Sequence, residues 1–370
     1  MTTAPLRVAV AGLGFGEKVH LEALRASPDW EPVALWHPRA ERLETACRSH
    51  GLRGETAFEA LLDDPGIDAI VIATPPGPRY GLAAAALEAG KQLMLEKPVG
   101  LDARQVEDLQ RLALGRGLTV AVDFEYRAVP LFQQLAALLQ QGALGDPWLV
   151  KLDWLMASRA DASRPWSWYS SAAEGGGVLG ALGTHAFDLL HWFIGPTADL
   201  SARLSTAITS RPNPGSGSMS PVDAEDIALV QLQLQGPASR PVPAQMNLAS
   251  VTRAGRGFWL ELYGSDATLV LGSDNQSDYV HGFGLWMARN GEALRPVAPD
   301  PQLAFRRTWG DGRIAPVERL HGWWAQAIRE GRPMVPGLLE ALSSQRCCDQ
   351  ARQSVQQTTA AGITTNTLTP

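Results

Sequence analysis

The segment VAVAGLGFGEKVHLEAL (residues 8–24) carries Gly12, Gly14 and Gly16 between a short apolar run and a helical pattern. A dinucleotide's pyrophosphate needs such a turn. Gly12 permits a tight bend, Gly14 lets backbone approach the anion, and the helix N terminus offers unpaired N–H groups. The spacing departs from G-x-G-x-x-G. The third position falls on Glu17, with Gly16 one residue early. An ordinary strand-to-helix turn is the competing reading, but a position after the first strand and at the start of a helix is the context that binding requires. Gly12, Gly14, Phe15 and Gly16 are therefore expected at a cofactor.

Working outward, Leu6–Ala11, Pro32–Trp36, Ala69–Ala73, Gln92–Leu95 and Leu118–Val122 read as strands. Helical patterns lie between them, near Glu17–Ala26, Arg39–His50, Phe58–Leu62, Pro78–Ala89 and Ala103–Leu114. This alternation predicts βαβ units and a doubly wound parallel sheet. Past Asp123 the rhythm changes. Helices are expected at Pro130–Gln141, Val178–Phe193, Val317–Arg329 and Leu338–Ser354, and long strand runs fill Leu200 to about Met287. Strands without intervening helices predict a mostly antiparallel sheet. The expected fold is α/β: a Rossmann domain over residues 1–123, and an α+β domain with a large open sheet over 124–370. SRPNPGSGSMSP (210–221) reads as a flexible loop, and TTAAGITTNTLTP (358–370) as a fraying tail.

The chain has 370 residues, 45% hydrophobic and 19% charged, with a net charge of −6. That is a globular composition large enough for two cores. No basic cluster invites nucleic acid, and no apolar run reaches membrane-spanning length. Cys47, Cys347 and Cys348 make neither a disulfide framework nor a metal-ligand spacing, so no metal is expected. The N terminus runs straight into a strand without a signal segment, which reads as a cytoplasmic protein.

Two strand ends carry further chemistry. In ALWHPRAER (34–42), His37 stands where an NAD-specific fold usually places a carboxylate for the ribose hydroxyls, and Arg39 and Arg42 follow. Guanidinium suits a 2′-phosphate, so NADP is preferred over NAD, unless these arginines are only the solvated face of a helix. In LEKPVG (95–100), Lys97 follows a buried strand, and Pro98 restrains the residues before it. An amine at the carboxyl edge of the sheet can bond a substrate oxygen and move the proton that accompanies hydride transfer. By itself, a surface lysine after a strand is the simpler reading.

AGLGFGEKVHLEAL, VIATPP, ALEAGKQLMLEKP and GGGVLGALGTHAFDLL together resemble the glucose–fructose oxidoreductase, inositol dehydrogenase and MocA (Gfo/Idh/MocA) family. DFEYRAVP, GALGDPWLV and WWAQAIREGRPMVPGLLEAL extend the resemblance over nearly the whole chain. It implies a Rossmann domain, then an open sheet that often forms the oligomer interface. It also implies oxidation or reduction of sugars and cyclitols with NAD or NADP. By the same resemblance Lys97 is catalytic and Glu96 and Pro98 share its motif at the cofactor. Thr74 and Pro75 lie along the cofactor, and His185 is the second catalytic group. A homo-oligomer, dimer or tetramer, is expected through the C-terminal sheet.

Three departures stand out. The family's Asp four residues before His185 is Ala181 here, Arg79 stands where His is frequent, and Glu125 stands where Asn is frequent. Ala181 cannot relay a proton, so either His185 and Lys97 suffice or another group substitutes: Tyr169, Glu174 or Asp188, the last more suited to orienting His185 or capping a buried hydrogen bond. Arg127 is kept. Trp154, Trp166, Trp168 and Tyr169 supply aromatic faces for a sugar ring, and Arg159 and Arg164 could bind a substrate carboxylate or phosphate. His20, His191, His321, Cys347 and Cys348 read as structural. The expected function is an NAD(P)-dependent oxidoreductase acting on a sugar, cyclitol or related polyol or carbonyl compound. Two alternatives remain: a cofactor-binding sensor or assembly protein with a weakened site, and a redox-assisted lyase or glycosidase holding NAD tightly.

Overall fold

The computed structural model describes residues 4–275 and 279–360. Strands β1 (Leu6–Ala11), β2 (Trp30–Trp36), β3 (Arg53–Glu55), β4 (Ala69–Ile72), β5 (Gln92–Leu95) and β6 (Val120–Val122) form one sheet in the order β3-β2-β1-β4-β5-β6. All its pairings are parallel. β4 is buried at every residue, which is why it is apolar throughout rather than alternating. β3 has no apolar residue and two exposed ones, so nothing in its composition announced it.

The second sheet contains β7 (Pro147–Leu155), β8 (Thr197–Ser205), β11 (Ile227–Gln235), β12 (Pro241–Ala249), β13 (Gly257–Gly264), β14 (Ala267–Ser273), β15 (Gly284–Arg289) and β16 (Arg295–Pro296). Their order is β16-β15-β14-β13-β7-β12-β11-β8, antiparallel except between β7 and β12. β11 alternates strictly: Ala228, Val230, Leu232 and Leu234 are buried, while Gln231, Gln233 and Gln235 are exposed. One face covers a core shared with helices Pro130–Gln140 and Thr184–Phe193, and the other lies open. No helix among the described residues is long and apolar enough to cross a membrane.

Two expectations are corrected, and one contact joins the two domains. Residues 210–221 are not simply a flexible loop: β9 (Ser210–Pro212) and β10 (Met219–Pro221) pair antiparallel around residues 213–218. Trp166 pins this hairpin, its backbone N–H donating to the Pro212 carbonyl and its indole N–H to the Pro221 carbonyl. Packing also crosses the expected boundary after Asp123. Helix Ile314–Glu330 returns to the first domain, where Leu320, Trp324 and Ala325 join Val8, Val10 and Leu35 in one core. Trp324 stacks on Trp30 at 4.3 Å, and the Val122 N–H donates to the Pro336 carbonyl. The last helix, Leu338–Ala360, reaches into the segment expected to fray, and residues 361–370 of that segment lie outside the described ones.

Candidate active site

In a doubly wound sheet the ligand crevice opens at the carboxyl ends of the strands, where the chain order reverses. Here that point lies between β1 and β4. A cleft of about 660 Å³ opens there, bounded on its far side by the second domain. Gly12, Gly14 and Phe15 line it. Gly12 has φ +111°, and a Cβ there would meet the Ala73 carbonyl oxygen at 2.7 Å. A Cβ on Gly16 would lie 3.1 Å from both the Ala73 and Val10 side chains, whereas Gly14 faces open space. Two glycines thus serve close packing and the third leaves room for a ligand. This cradle fits a pyrophosphate. Thr74, Pro75 and Pro98 also line the cleft.

His37, Pro38, Arg39 and Arg42 line the flank beneath β2. The Arg39 N–H donates to His37 Nδ1 at 3.0 Å. Burial, then the nearby guanidinium charges of Arg42 and Arg39, lower the His37 pKa against the opposing backbone bond. β2 and β5 are three strand positions apart, about 14 Å. The guanidiniums and Lys97 therefore stand on opposite sides of the glycine turn, a separation suited to the two ends of a dinucleotide.

Lys97 emerges from a backbone held by a residue whose role the sequence did not disclose. Arg79 is 3% exposed and donates to the carbonyls of Thr74, Glu96 and Pro98, at 2.8 Å for Glu96. Burial lowers its pKa to about 10 despite the Glu96 charge. The Lys97–Pro98 peptide is cis. The Lys97 ammonium donates to the Ala181 carbonyl at 3.0 Å. Ala181 lies in Leu179–Gly183, a π-helical turn that leads into helix Thr184–Phe193. Such wide turns loosen the backbone bonding pattern and favour outside partners for its carbonyls.

Glu125 is the second group not anticipated. It lines the cleft beside Lys97 while 5% exposed. Burial raises its pKa to about 7, with Lys97 pulling it down and Glu96 pushing it up. His185 Nε2 lies 3.4 Å from Glu125 Oε2. His185 itself is buried among Phe124, Tyr126 and Trp154 and does not line the cleft. Burial, then the Lys97 charge, hold its pKa well below the ordinary imidazole value. It is a neutral ring behind a carboxyl.

Beneath Lys97, His20 Nε2 meets Glu96 Oε1 at 3.0 Å and Asp123 Oδ2 at 3.4 Å, while His20 Nδ1 meets His321 Nε2 at 3.1 Å. Burial works against ionised Glu96, but the His20 hydrogen bond and the fields of His20 and Lys97 bring its pKa to about 2. Burial, then the Glu96 and Glu125 charges, push Asp123 well up. Two carboxyls this close divide the roles, one ionised and one protonated. His20, Glu96 and Asp123 bring ligand atoms within 4.8 Å of one another, a convergence that cysteine spacing could not reveal.

Of the residues expected at substrate, Trp168 and Tyr169 line the cleft, joined by Arg159. Trp166 does not; it serves the hairpin. Trp154 is a core residue on β7. Arg127 and Asp188 also stand away from the cleft, in a buried bidentate ion pair at 2.7 and 2.8 Å. Asp188 therefore orients Arg127 rather than His185. Arg164 turns to the Ser158 carbonyl. His191 bonds Thr197 and Ser343, and Cys347 and Cys348 are buried. Arg79 and Glu125 had been visible only as departures from a familiar pattern.

Comparison with known proteins identifies the family and the fold. Residues 6–124 match the family model described as an oxidoreductase family NAD-binding Rossmann fold, and residues 136–363 match that family's C-terminal alpha/beta domain. An uncharacterised oxidoreductase of Synechocystis sp. is 42% identical over 360 residues, 96% of each chain. Levoglucosan dehydrogenase of Pseudarthrobacter phenanthrenivorans is 27% identical over 297 residues, covering 74% of this chain and 75% of its own. A solved levoglucosan dehydrogenase in complex with NADH superposes with a TM-score of 0.85 at 22% identity, over 95% of this chain and 97% of that one.

Proposed function

This chain belongs to the Gfo/Idh/MocA family of NAD-binding oxidoreductases, and we propose that it moves hydride between NADP and a carbinol or carbonyl carbon of a sugar, cyclitol or related polyol. The observation that carries the reading is the convergence of Lys97 and Glu125 on one cleft with the glycine cradle. The nicotinamide, when bound, supplies the hydride acceptor or donor. Lys97 bonds the substrate oxygen and stabilises the charge that grows on it during oxidation. Glu125, titrating near neutrality, takes up the proton in oxidation and returns it in reduction. His185 positions Glu125 from behind. Glu125 thus brings back a carboxyl that the Ala181 position lacks, which favours an active enzyme over a sensor.

His37, Arg39 and Arg42, with no carboxylate among the described residues lining their flank of the cleft, support NADP over NAD. The levoglucosan and D-glucoside 3-dehydrogenases among the relatives support a sugar-like substrate. A homo-oligomer paired through the open face of the large sheet is part of the proposal, supported by Leu149 and Leu229, which stand 38% and 48% exposed on β7 and β11. Three free thiols suit a cytoplasmic location. Fluorescence titration with NADPH and NADH, followed by a sugar and polyol screen on wild type and Lys97→Ala, tests the reading. Equal turnover by the two proteins would overturn it.

A further inference from the structure

The substrate end of the cleft contains a cation with no counter-ion. The Arg159 guanidinium stacks over the Tyr169 ring at 3.9 Å and lines the cleft with Trp168 and Ala181. Among the described residues, no carboxylate pairs with it. Its electrostatic neighbours besides Tyr169 are cationic, Arg164 and Arg211, and burial lowers its pKa ahead of their effect. The surrounding acid is already engaged: Asp161 Oδ1 accepts from the Ser163 N–H and hydroxyl. Arg211 and Arg253 reinforce the positive field, their guanidiniums bonded to the carbonyls of Arg159, Asp161 and Ala160. A half-buried charge without a partner becomes costly once a ligand closes over it, and a neutral sugar would leave it unpaired. The dinucleotide phosphates do not answer to it, because their cradle is on the other domain, at Gly12 and Gly14.

We propose that the substrate is a sugar acid, an aldonate or uronate, whose carboxylate is held by Arg159 while a carbinol carbon along the same chain or ring presents its hydroxyl to Lys97. Guanidinium and carboxylate form paired, parallel hydrogen bonds, which fix orientation as well as affinity. Trp168 and Tyr169 supply apolar faces for the carbon skeleton between the two anchors. The carboxylate is a bystander: the carbinol loses hydride to NAD(P)+ and its hydroxyl proton to the Lys97–Glu125 pair, leaving a keto or aldehydo acid and NAD(P)H. Binding at the remote carboxylate helps place the reacting carbon. This proposal rests on the dehydrogenase reading above and narrows it.

The test uses full-length protein loaded with NADPH for binding and with NADP+ for turnover. The probes are D-glucuronate and D-gluconate, their neutral parent D-glucose, and D-glucose 6-phosphate. Binding is read by tryptophan fluorescence, which needs no turnover. Wild type is expected to bind at least one acid about 10- to 100-fold tighter than glucose. In Arg159→Gln that ratio falls toward one with the NADPH affinity retained, and Arg159→Lys keeps part of it. Equal binding of acids and glucose by wild type overturns the proposal, even if glucose is turned over and the dehydrogenase reading stands. Tighter binding of the phosphate ester than of either acid overturns it too, as does an unchanged ratio in Arg159→Gln. Acid-selective binding without turnover of any probe supports the proposal and counts against the dehydrogenase reading alone.

Discussion

The side-chain nitrogen of Lys97 donates to the carbonyl of Ala181 across 3.0 Å, joining the end of β5 to the π-helical turn of the second domain. The reactive nitrogen is thereby positioned by both walls of the cleft. Removing it in Lys97→Ala is expected to lower turnover by about 10²–10⁴-fold. The glycine cradle is untouched, so NADPH should bind with nearly its original Kd. Loss of cofactor binding in step with turnover would assign Lys97 a structural role.

Glu125 makes a prediction about pH. Its carboxyl titrates at about 7, so the base form appears as pH rises through neutrality. Oxidation should accelerate across that range and reduction slow. Glu125→Gln should flatten the profile and cost about 10²-fold in rate, and Ala181→Asp added to it should restore part of the loss. A profile unchanged in Glu125→Gln would remove this carboxyl from the proton path. Stability has a matching sign. The folded state holds the Glu125 proton up to about 7, whereas the ordinary value is 4.5. Its contribution to folding is thus complete below 4.5 and declines as pH climbs toward 7, a slope that Gln abolishes in urea titrations.

Arg79 should be intolerant of change. Arg79→Ala deprives three backbone carbonyls of their donor and is expected to cost about 3 kcal/mol, read as a lower urea midpoint. Arg79→Lys should recover little, because one ammonium lacks the spread of a guanidinium fork. Turnover should fall more than the stability loss explains, since the same bonds fix the backbone beneath Lys97.

Arg39→Ala and Arg42→Ala should discriminate between cofactors. Each is expected to weaken NADPH by about 10- to 100-fold, the value of a charge-assisted bond, while moving NADH little. Parallel losses for both cofactors would mean that these side chains do not meet the 2′-phosphate.

Arg127 and Asp188 illustrate a buried pair whose removal is worse than its absence. Asp188→Asn should destabilise by about 3–5 kcal/mol, because Arg127 is left charged and unpaired. Replacing both with apolar residues of similar size should cost far less in the same unfolding experiment.

Much of this was legible in the chain itself. β1 and β5 are legible to the residue, because their buried portions, Val8–Ala11 and Leu93–Leu95, are unbroken apolar runs. The glycine turn and Lys97 were legible because backbone chemistry constrains residue type there. β3 was not, since an edge strand of Arg-Gly-Glu is held by its pairing with β2 rather than by composition. The hairpin at 210–221 was hidden because Ser, Pro and Gly also suit a loop; its order comes from Trp166. Arg79 and Glu125 stand out in the sequence as odd residues, but their roles depend on contacts made only when β4, β5 and the second domain come together. The same holds for His185, whose place behind Glu125 no helical periodicity could specify.

Helix Ile314–Glu330 has one more consequence. Because it packs into the first domain after the chain has built the second, the two lobes are stitched together on both their outward and return crossings. The Pro336 carbonyl, anchored to Val122, adds another stitch nearby. A hinge with so many pins has little swing. Ligands must enter through a mouth that is already open, and small-angle scattering should record the same radius of gyration with and without NADPH.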